Sequence, residues 1–233
     1  VMLDIAAPPL VARPAPSLPV ARLLRGKPVA AAAALLPRLF SQSRAAQALA
    51  CALAFGQEIR AEDRAALHHE ILRDHLMKLM VHWPARFGMA ATPLPADWRT
   101  GGPDVAKAVF GPARRAPATG AAFESFLAAD TGCAPVLRRI DLCFAPFEAA
   151  TGRLPRLTTA TAFLPGALEN SVAGRQAQHP AMRHIETTRG RGPLWRAAAR
   201  LCDLDDALAG RLPPPVSPAP GRALVPAARG AYA

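Results

Sequence analysis

The side chains with the widest chemical range in this chain are its six histidines and four cysteines, and their spacing decides which chemistry is open to them. His68, His75 and His82 recur every seven residues, so on a helix they share one face. Ligands two turns apart are separated by ~10 Å along the axis, too far for one ion to bridge. The i, i+4 pair of a helical zinc site is absent from this trio. Packing or hydrogen bonding is therefore the role expected of these histidines. Cys51, Cys133, Cys143 and Cys202 form no C-x-x-C pair and no Cys/His cluster, so the spacing encodes neither a zinc site nor a disulfide framework. Cys51 and Cys202 lie in Ala/Leu-rich helical patterns, where a cysteine behaves as a small apolar residue. The stretch GGPDVAKAVFG, residues 101–111, lacks the G-K-[ST] ending of a phosphate loop. Glu124 and Glu148 are single acids at unrelated places, with no nucleophile–base pair or carboxylate dyad beside them. No catalytic and no metal-binding residue is expected, and the chain does not read as an enzyme.

Charge bears on partners. With 28 Lys+Arg against 17 acids the net charge is +11, which favours an anionic partner such as nucleic acid or an acidic protein surface. The arginines are scattered, without aromatic interleaving, as a GC-rich coding bias would leave them; nucleic acid is thus the less expected partner. Hydrophobic content is 51%, much of it alanine, and aromatics are 6%, so leucines and a few Phe and Trp must carry the core. The absence of a signal-like start and of any apolar run of membrane-spanning length predicts a cytoplasmic protein with no membrane span.

The elements that must position these residues are mostly helices. Pro37–Gly56 reads as an Ala-rich helix, capped by Ser41 or Ser43 and left through Gly56. Ala61–Trp83 is the strongest periodic element, with Leu67, Ile71, Leu72, Leu76, Leu79, Met80 and Trp83 on one stripe and Pro84 as its stop. Residues 84–120 form a long Pro/Gly-punctuated connection, functional or disordered, with one short helix near Asp104–Phe110. Further helices are expected at Ala121–Ala129, Val136–Phe144 and Pro193–Gly210, with residues 151–168 extended or turning. The fold class is mainly α with long Pro/Gly-rich loops and little strand. A Pro-rich N-terminal arm (1–34), a single helical domain (35–212) and a Pro-rich C-terminal tail (213–233), extended or disordered, complete the expectation.

Three stretches together resemble the large-subunit family of nickel–iron hydrogenases, and most closely its HupK-type accessory branch. PRLFSQSRAAQ matches R-x-C-G-x-C-x-x-x-H in register, keeping Arg38 but placing Phe40 and Ser43 at the cysteines and Gln47 at the histidine. It also keeps Leu39, Phe40 and Gln47 of the accessory pattern L-F-x-x-C-G-x-A-Q, with Ser43 and Arg44 for Cys-Gly. ILRDHLMKLMVHWPARFG is similar to E-H-L-W-R-L-L-x-D-W-P-x-x-x-G through Asp74, His75, Leu76, Leu79, Trp83, Pro84 and Gly88. ENSVAGRQAQHP is similar to E-T-G-A-L-A-R-Q-A-x-H-P through Glu169, Ala173, Arg175, Gln176, Ala177, His179 and Pro180. The ending LVPAARGAYA resembles the family's V-x-x-A-R-G, which implies a chain truncated before the C-terminal D-P-C-x-x-C motif.

The resemblance implies a helical bundle like the large-subunit core, with its metal site vacated. Arg38, Ser43, Gln47, Glu169, Arg175 and His179 become the candidate residues, lining one pocket or serving an interaction surface. The blander expectation is a structural Glu169–Arg175 salt bridge, with His179 and His184 as satisfied core histidines. Since thiolates hold nickel and iron while Phe and Ser do not, hydrogenase catalysis is not expected. The implied function is a scaffold or interaction module in hydrogenase maturation, with maturation proteins or hydrogenase subunits as partners. No cofactor is expected; a transiently held iron–cyanide–carbonyl unit is what the family would add, weakened here by Ser43. The rival readings are a basic nucleic-acid-binding protein and a nonfunctional large-subunit remnant.

Overall fold

The longest helical run begins at α4 (Ala61–Leu76) and continues through a π-helical turn (Met77–His82) into α5 (Trp83–Arg86). At its start Asp63 Oδ2 accepts from Arg60 N and Nε, both at 3.1 Å, in a first turn where the helix dipole favours acids. Pro84 does not end this run. The wide turn before it absorbs the missing N–H, and the chain stops at Gly88 (φ 69°), where the Gly88 and Met89 amides donate to Ala85 O and Pro84 O.

The computed structural model describes residues 18–40 and 42–233. Ser41, one of the two expected caps, and residues 1–17 of the expected N-terminal arm lie outside the described residues. Residues 18–35 carry two short helices, α1 (Val20–Leu24) and α2 (Val29–Leu35), followed by a 3-10 turn at Leu36–Arg38. The expected single helix over Pro37–Gly56 is therefore that turn plus α3 (Arg44–Ala54). Ser43 sits before α3 in the left-handed region (φ 51°, ψ 45°) and makes no side-chain cap. Glu70 of α4 supplies the cap instead, accepting from Ala45 N at 2.8 Å and Ala46 N at 3.2 Å. At the other end Gly56 (φ 70°) exits as expected, with Gln57 N donating to Ala52 O at 2.8 Å.

Residues 88–102 pack against the core through Met89, Leu94 and Trp98, with Trp98 beside His69 of α4, and lead into α6 (Pro103–Phe110). Then come α7 (Gly120–Ala128), α8 (Ala134–Cys143), α9 (Val172–Gln176), α10 (Pro180–Arg189) and α11 (Pro193–Leu208). α11 is buried almost all round, with Trp195, Leu201 and Leu204 inaccessible, and packs on α4, α8, α9 and α10. It is the axis of the core.

The stretch expected as a Pro-rich tail forms a small antiparallel sheet in the order β1 (Val216–Ala219), β2 (Arg222–Ala227), β3 (Gly230–Tyr232). Ala223, Val225 and Ala227 alternate inward and bury β2 against α3. Pro226 stands opposite Ala231, between the two flanking pairs of a two-residue hairpin, where no ladder donor is needed. The outer edge of β3 is closed by Asn170, whose Oδ1 accepts from Ala231 N at 2.7 Å and whose Nδ2 donates to Ala231 O at 3.0 Å. A Cβ at Gly230 would meet Asn170 Oδ1 at 2.5 Å, so only glycine fits that approach. The fold is mainly α, as its sequence predicts. Among the described residues no helix is long and apolar enough to cross a membrane.

Candidate functional site

Three side chains converge on the buried carboxylate of Asp203 in α11. Arg175 of α9 donates from Nε to Oδ1 and from Nη2 to Oδ2, both at 2.7 Å. Gln176 Nε2 donates to Oδ1 at 3.0 Å, and His75 Nε2 of α4 stands 2.8 Å from Oδ2. All four lone-pair directions of the carboxylate are thereby occupied. Burial alone would raise the Asp203 pKa, but the hydrogen bonds from His75 and Arg175 outweigh it and hold it well below the usual carboxylate range.

The proton on His75 follows from geometry. Its Nδ1 lies 3.0 Å from Arg200 Nη1, which can only donate, so Nδ1 carries the lone pair and Nε2–H points at Asp203. The ring is neutral and fully buried, and burial pushes its pKa below the ordinary value. Arg200 Nη1 also donates to Asp74 Oδ2 at 2.6 Å. Arg229, in the β2–β3 turn, reaches Asp74 Oδ1 at 3.4 Å and Gln42 Oε1 at 2.8 Å. Arg175 closes the network on the sheet, donating to Gly230 O at 2.7 Å and Ala227 O at 3.0 Å. At Asp203 no lone pair is left free to take a proton from a substrate. The network fastens α4, α9, α11 and the sheet together.

Glu169 belongs to a different cluster. It accepts from Ser171 Oγ at 2.5 Å, Arg196 Nη1 at 3.3 Å and Arg191 Nη2 at 3.1 Å. The expected Glu169–Arg175 bridge does not form, because Arg175 is committed to Asp203. Both residues nevertheless border one cleft of ≈ 300 Å³, between the 156–171 loop and the sheet. Gln47 faces a separate open cleft of ≈ 510 Å³ with Leu36, Leu39, Phe40, Cys51 and Tyr232, and its Nε2 donates to Gln42 O at 2.7 Å. β3 divides the two: Gly230 and Ala231 border the first, Tyr232 the second.

The six candidates therefore do not share one pocket. Arg38 is exposed on the 3-10 turn and Ser43 precedes α3; neither borders a cleft with the others. His179 caps α10, its Nδ1 accepting from Ala181 N at 3.3 Å; burial lowers its pKa while Asp206 and Asp205 pull the other way. His184 Nε2 stands 2.6 Å from Glu124 Oε1, which Arg189 also holds. Of the heptad histidines, His68 and His75 face α11, His68 Nε2 lying 3.0 Å from Ala207 O. The π turn carries His82 out of that register into solvent.

Asp203, Arg200 and Glu70 are the residues that the sequence reading missed. Asp203 had one usable signal: α11 is apolar nearly all round, and an acid within such a helix is enclosed and needs a partner.

The residues present do not fit a thiolate-bridged nickel–iron centre. Phe40 and Ser43 offer no thiolate, and Cys51 is the one cysteine bordering the Phe40 cleft. Cys133 and Cys202 are in the core and Cys143 is exposed at the end of α8. Among the described residues no three His, Cys, Asp or Glu side chains are grouped to hold an ion.

No protein-family model matches the chain, and no solved structure does. Its sequence is 46% identical over 220 residues to the hydrogenase expression/formation protein HupK of Rhodobacter capsulatus, an alignment spanning 94% of this chain and 71% of that relative. His75, Arg175 and Gln176, from two of the motif stretches read in the sequence, meet at Asp203, and Asp74 joins the same network through Arg200 and Arg229. Identity of this extent, over nearly the whole chain, means that the chain belongs to the HupK family of hydrogenase expression/formation proteins.

Proposed function

We propose that the chain is a non-catalytic accessory protein of nickel–iron hydrogenase maturation, working as a scaffold or interaction module on a core related to the hydrogenase large subunit. One observation carries this reading: Phe40, at a position where the large-subunit motif has a cysteine, forms part of the wall of an open, mainly apolar cleft. Nickel and iron are bridged by soft thiolates, and neither an aromatic ring nor a neutral hydroxyl replaces them. The polar motif residues Asp74, His75, Arg175 and Gln176 meanwhile hold the fold. Shape is kept where the ligands are gone.

Its partners are maturation proteins or hydrogenase subunits, met in the cytoplasm. An iron–cyanide–carbonyl unit would be cargo carried by a partner, because this chain has no cysteine at positions 40 or 43 to hold it.

Deleting the gene should lower hydrogenase activity, and the wild-type gene supplied in trans should restore it. Unchanged activity in the deletion strain would overturn the maturation role. Purified protein should carry neither nickel nor iron in stoichiometric amount, and one metal per chain by elemental analysis would overturn the vacated site.

A further inference from the structure

Along the sequence no acidic residue stands between Asp4 and Glu58. Residues 18–44 carry Arg22, Arg25, Lys27, Arg38 and Arg44, and among the described residues none of these is in an ion pair with an acid. Elsewhere the basic residues are mixed: Arg175, Arg189, Arg191, Arg200 and Arg229 each hold a carboxylate, while Arg64, Arg73 and Arg139 are in no ion pair among the described residues. Glu70, which does reach this segment, has its carboxylate engaged by the Ala45 and Ala46 amides.

Beside the unpaired cations lies apolar surface. Phe40 is 36% exposed and, with Leu36, Leu39 and Tyr232, borders the ≈ 510 Å³ cleft. Arg38 and Arg44 are both exposed, and their chain neighbours Leu36, Leu39, Phe40 and Gln42 form one wall of that cleft. Cations around an apolar recess are complementary to carboxylates around an apolar side chain.

We propose that the cleft bordered by Leu36, Leu39, Phe40 and Tyr232 docks an acidic stretch of a partner protein, seating one bulky apolar side chain against Phe40 and Tyr232 with carboxylates beside Arg38 and Arg44. This docking face presupposes the interaction role proposed above and assigns it a location and a partner chemistry. A nucleic-acid backbone has nothing apolar to place in the recess, and single-strand binding uses successive aromatic platforms that this segment lacks. Membrane-surface binding uses a long amphipathic helix, whereas α1 and α2 are 5 and 7 residues long.

The test is fluorescence anisotropy of the full chain with a labelled synthetic peptide of about twelve residues, Glu and Asp interspersed with Leu and Phe. One control peptide carries Ser for every acid and a second Ser for every apolar residue. The acidic-apolar peptide should bind, each control about tenfold more weakly or worse, and affinity should fall as salt rises. Arg38→Glu with Arg44→Glu should weaken binding about tenfold or more, and Phe40→Ser should weaken it independently. Both arginines are solvent-exposed, so an unchanged circular dichroism spectrum and melting point certify the fold of the double variant. Equal binding of either control, or undiminished binding by the double variant, overturns the proposal. So does tighter binding to duplex DNA or phosphatidylglycerol vesicles that Phe40→Ser leaves intact. Complementation reads the accessory role separately. A chain that binds no acidic peptide yet restores hydrogenase activity keeps the role and loses this face; one that binds the peptide here without affecting hydrogenase keeps the face and loses the role.

Discussion

Arg175 and Asp203, 28 residues apart, form a two-point ion pair with both contacts at 2.7 Å and the Asp203 side chain wholly buried. Removing one partner strands the other, which for buried pairs costs about 3–5 kcal/mol. Asp203→Ala should therefore lower the urea midpoint sharply or prevent folding. Asp203→Leu combined with Arg175→Met should cost less than the sum of the two single changes. A double-mutant cycle by urea denaturation measures the difference, and strict additivity would show that the pair is not coupled.

Acid should destabilise the protein in two limbs. Burial holds the folded pKa of His75 below the ordinary 6.5, and that of His179 likewise. As pH falls through about 6.5 the unfolded chain takes up protons that the folded chain refuses, so stability present above that pH is lost below it. Asp203 is depressed when folded, so its contribution is full above the unfolded value of about 3.9 and is lost as pH falls further. Urea midpoints should be level near neutrality, decline below about pH 6.5 and fall more steeply below about pH 4. His75→Gln should shrink the first limb and leave the second.

Glu70 caps a helix to which it does not belong. Glu70→Ala should cost about 1–2 kcal/mol, the scale of a lost N-cap with its charge–dipole term. Hydrogen exchange should show the Ala45 and Ala46 amides losing protection first, since those are the donors it receives. Glu70→Gln should give an intermediate loss, because the amide oxygen still accepts but carries no charge.

The four cysteines should separate by reactivity. Cys143 is exposed and Cys51 half-buried, whereas Cys133 and Cys202 are buried. Burial pushes the Cys133 thiol up to about 12 and raises Cys202 as well, so neither forms the thiolate that reacts. An aromatic disulfide reagent should find one fast thiol in native protein, removed by Cys143→Ser. Cys133 and Cys202 should appear only on unfolding.

The helices were legible in the sequence because their cause is local. The stripe from Leu67 to Trp83, the first-turn acids at Glu62 and Asp63, Pro193 near the start of α11 and Gly56 after α3 all act within a few residues of themselves. What failed to show depends on distant partners. Nothing near Arg44 announces that Glu70 will cap α3, and His75 lies 128 residues from Asp203. Pro84 looked like a stop because the π turn that accommodates it carries no composition signal of its own. The closing strands were obscured by prolines, which suit a tail; Pro226 is tolerated because its register asks for no donor there. The candidate residues came from motif order, and motif order does not say which side of β3 a side chain faces.

The β2–β3 hairpin also sets an order of events during synthesis. Two of the acceptors that hold Arg175 are the carbonyls of Ala227 and Gly230, and Asp74 waits for Arg229. A ribosome emitting this chain from its N-terminus releases α4, α9 and α11 with those positions still unmade. The helices can gather early, but the guanidinium of Arg175 finds its full complement of acceptors only after the hairpin has emerged. The helical core is thus fastened by strands translated after it.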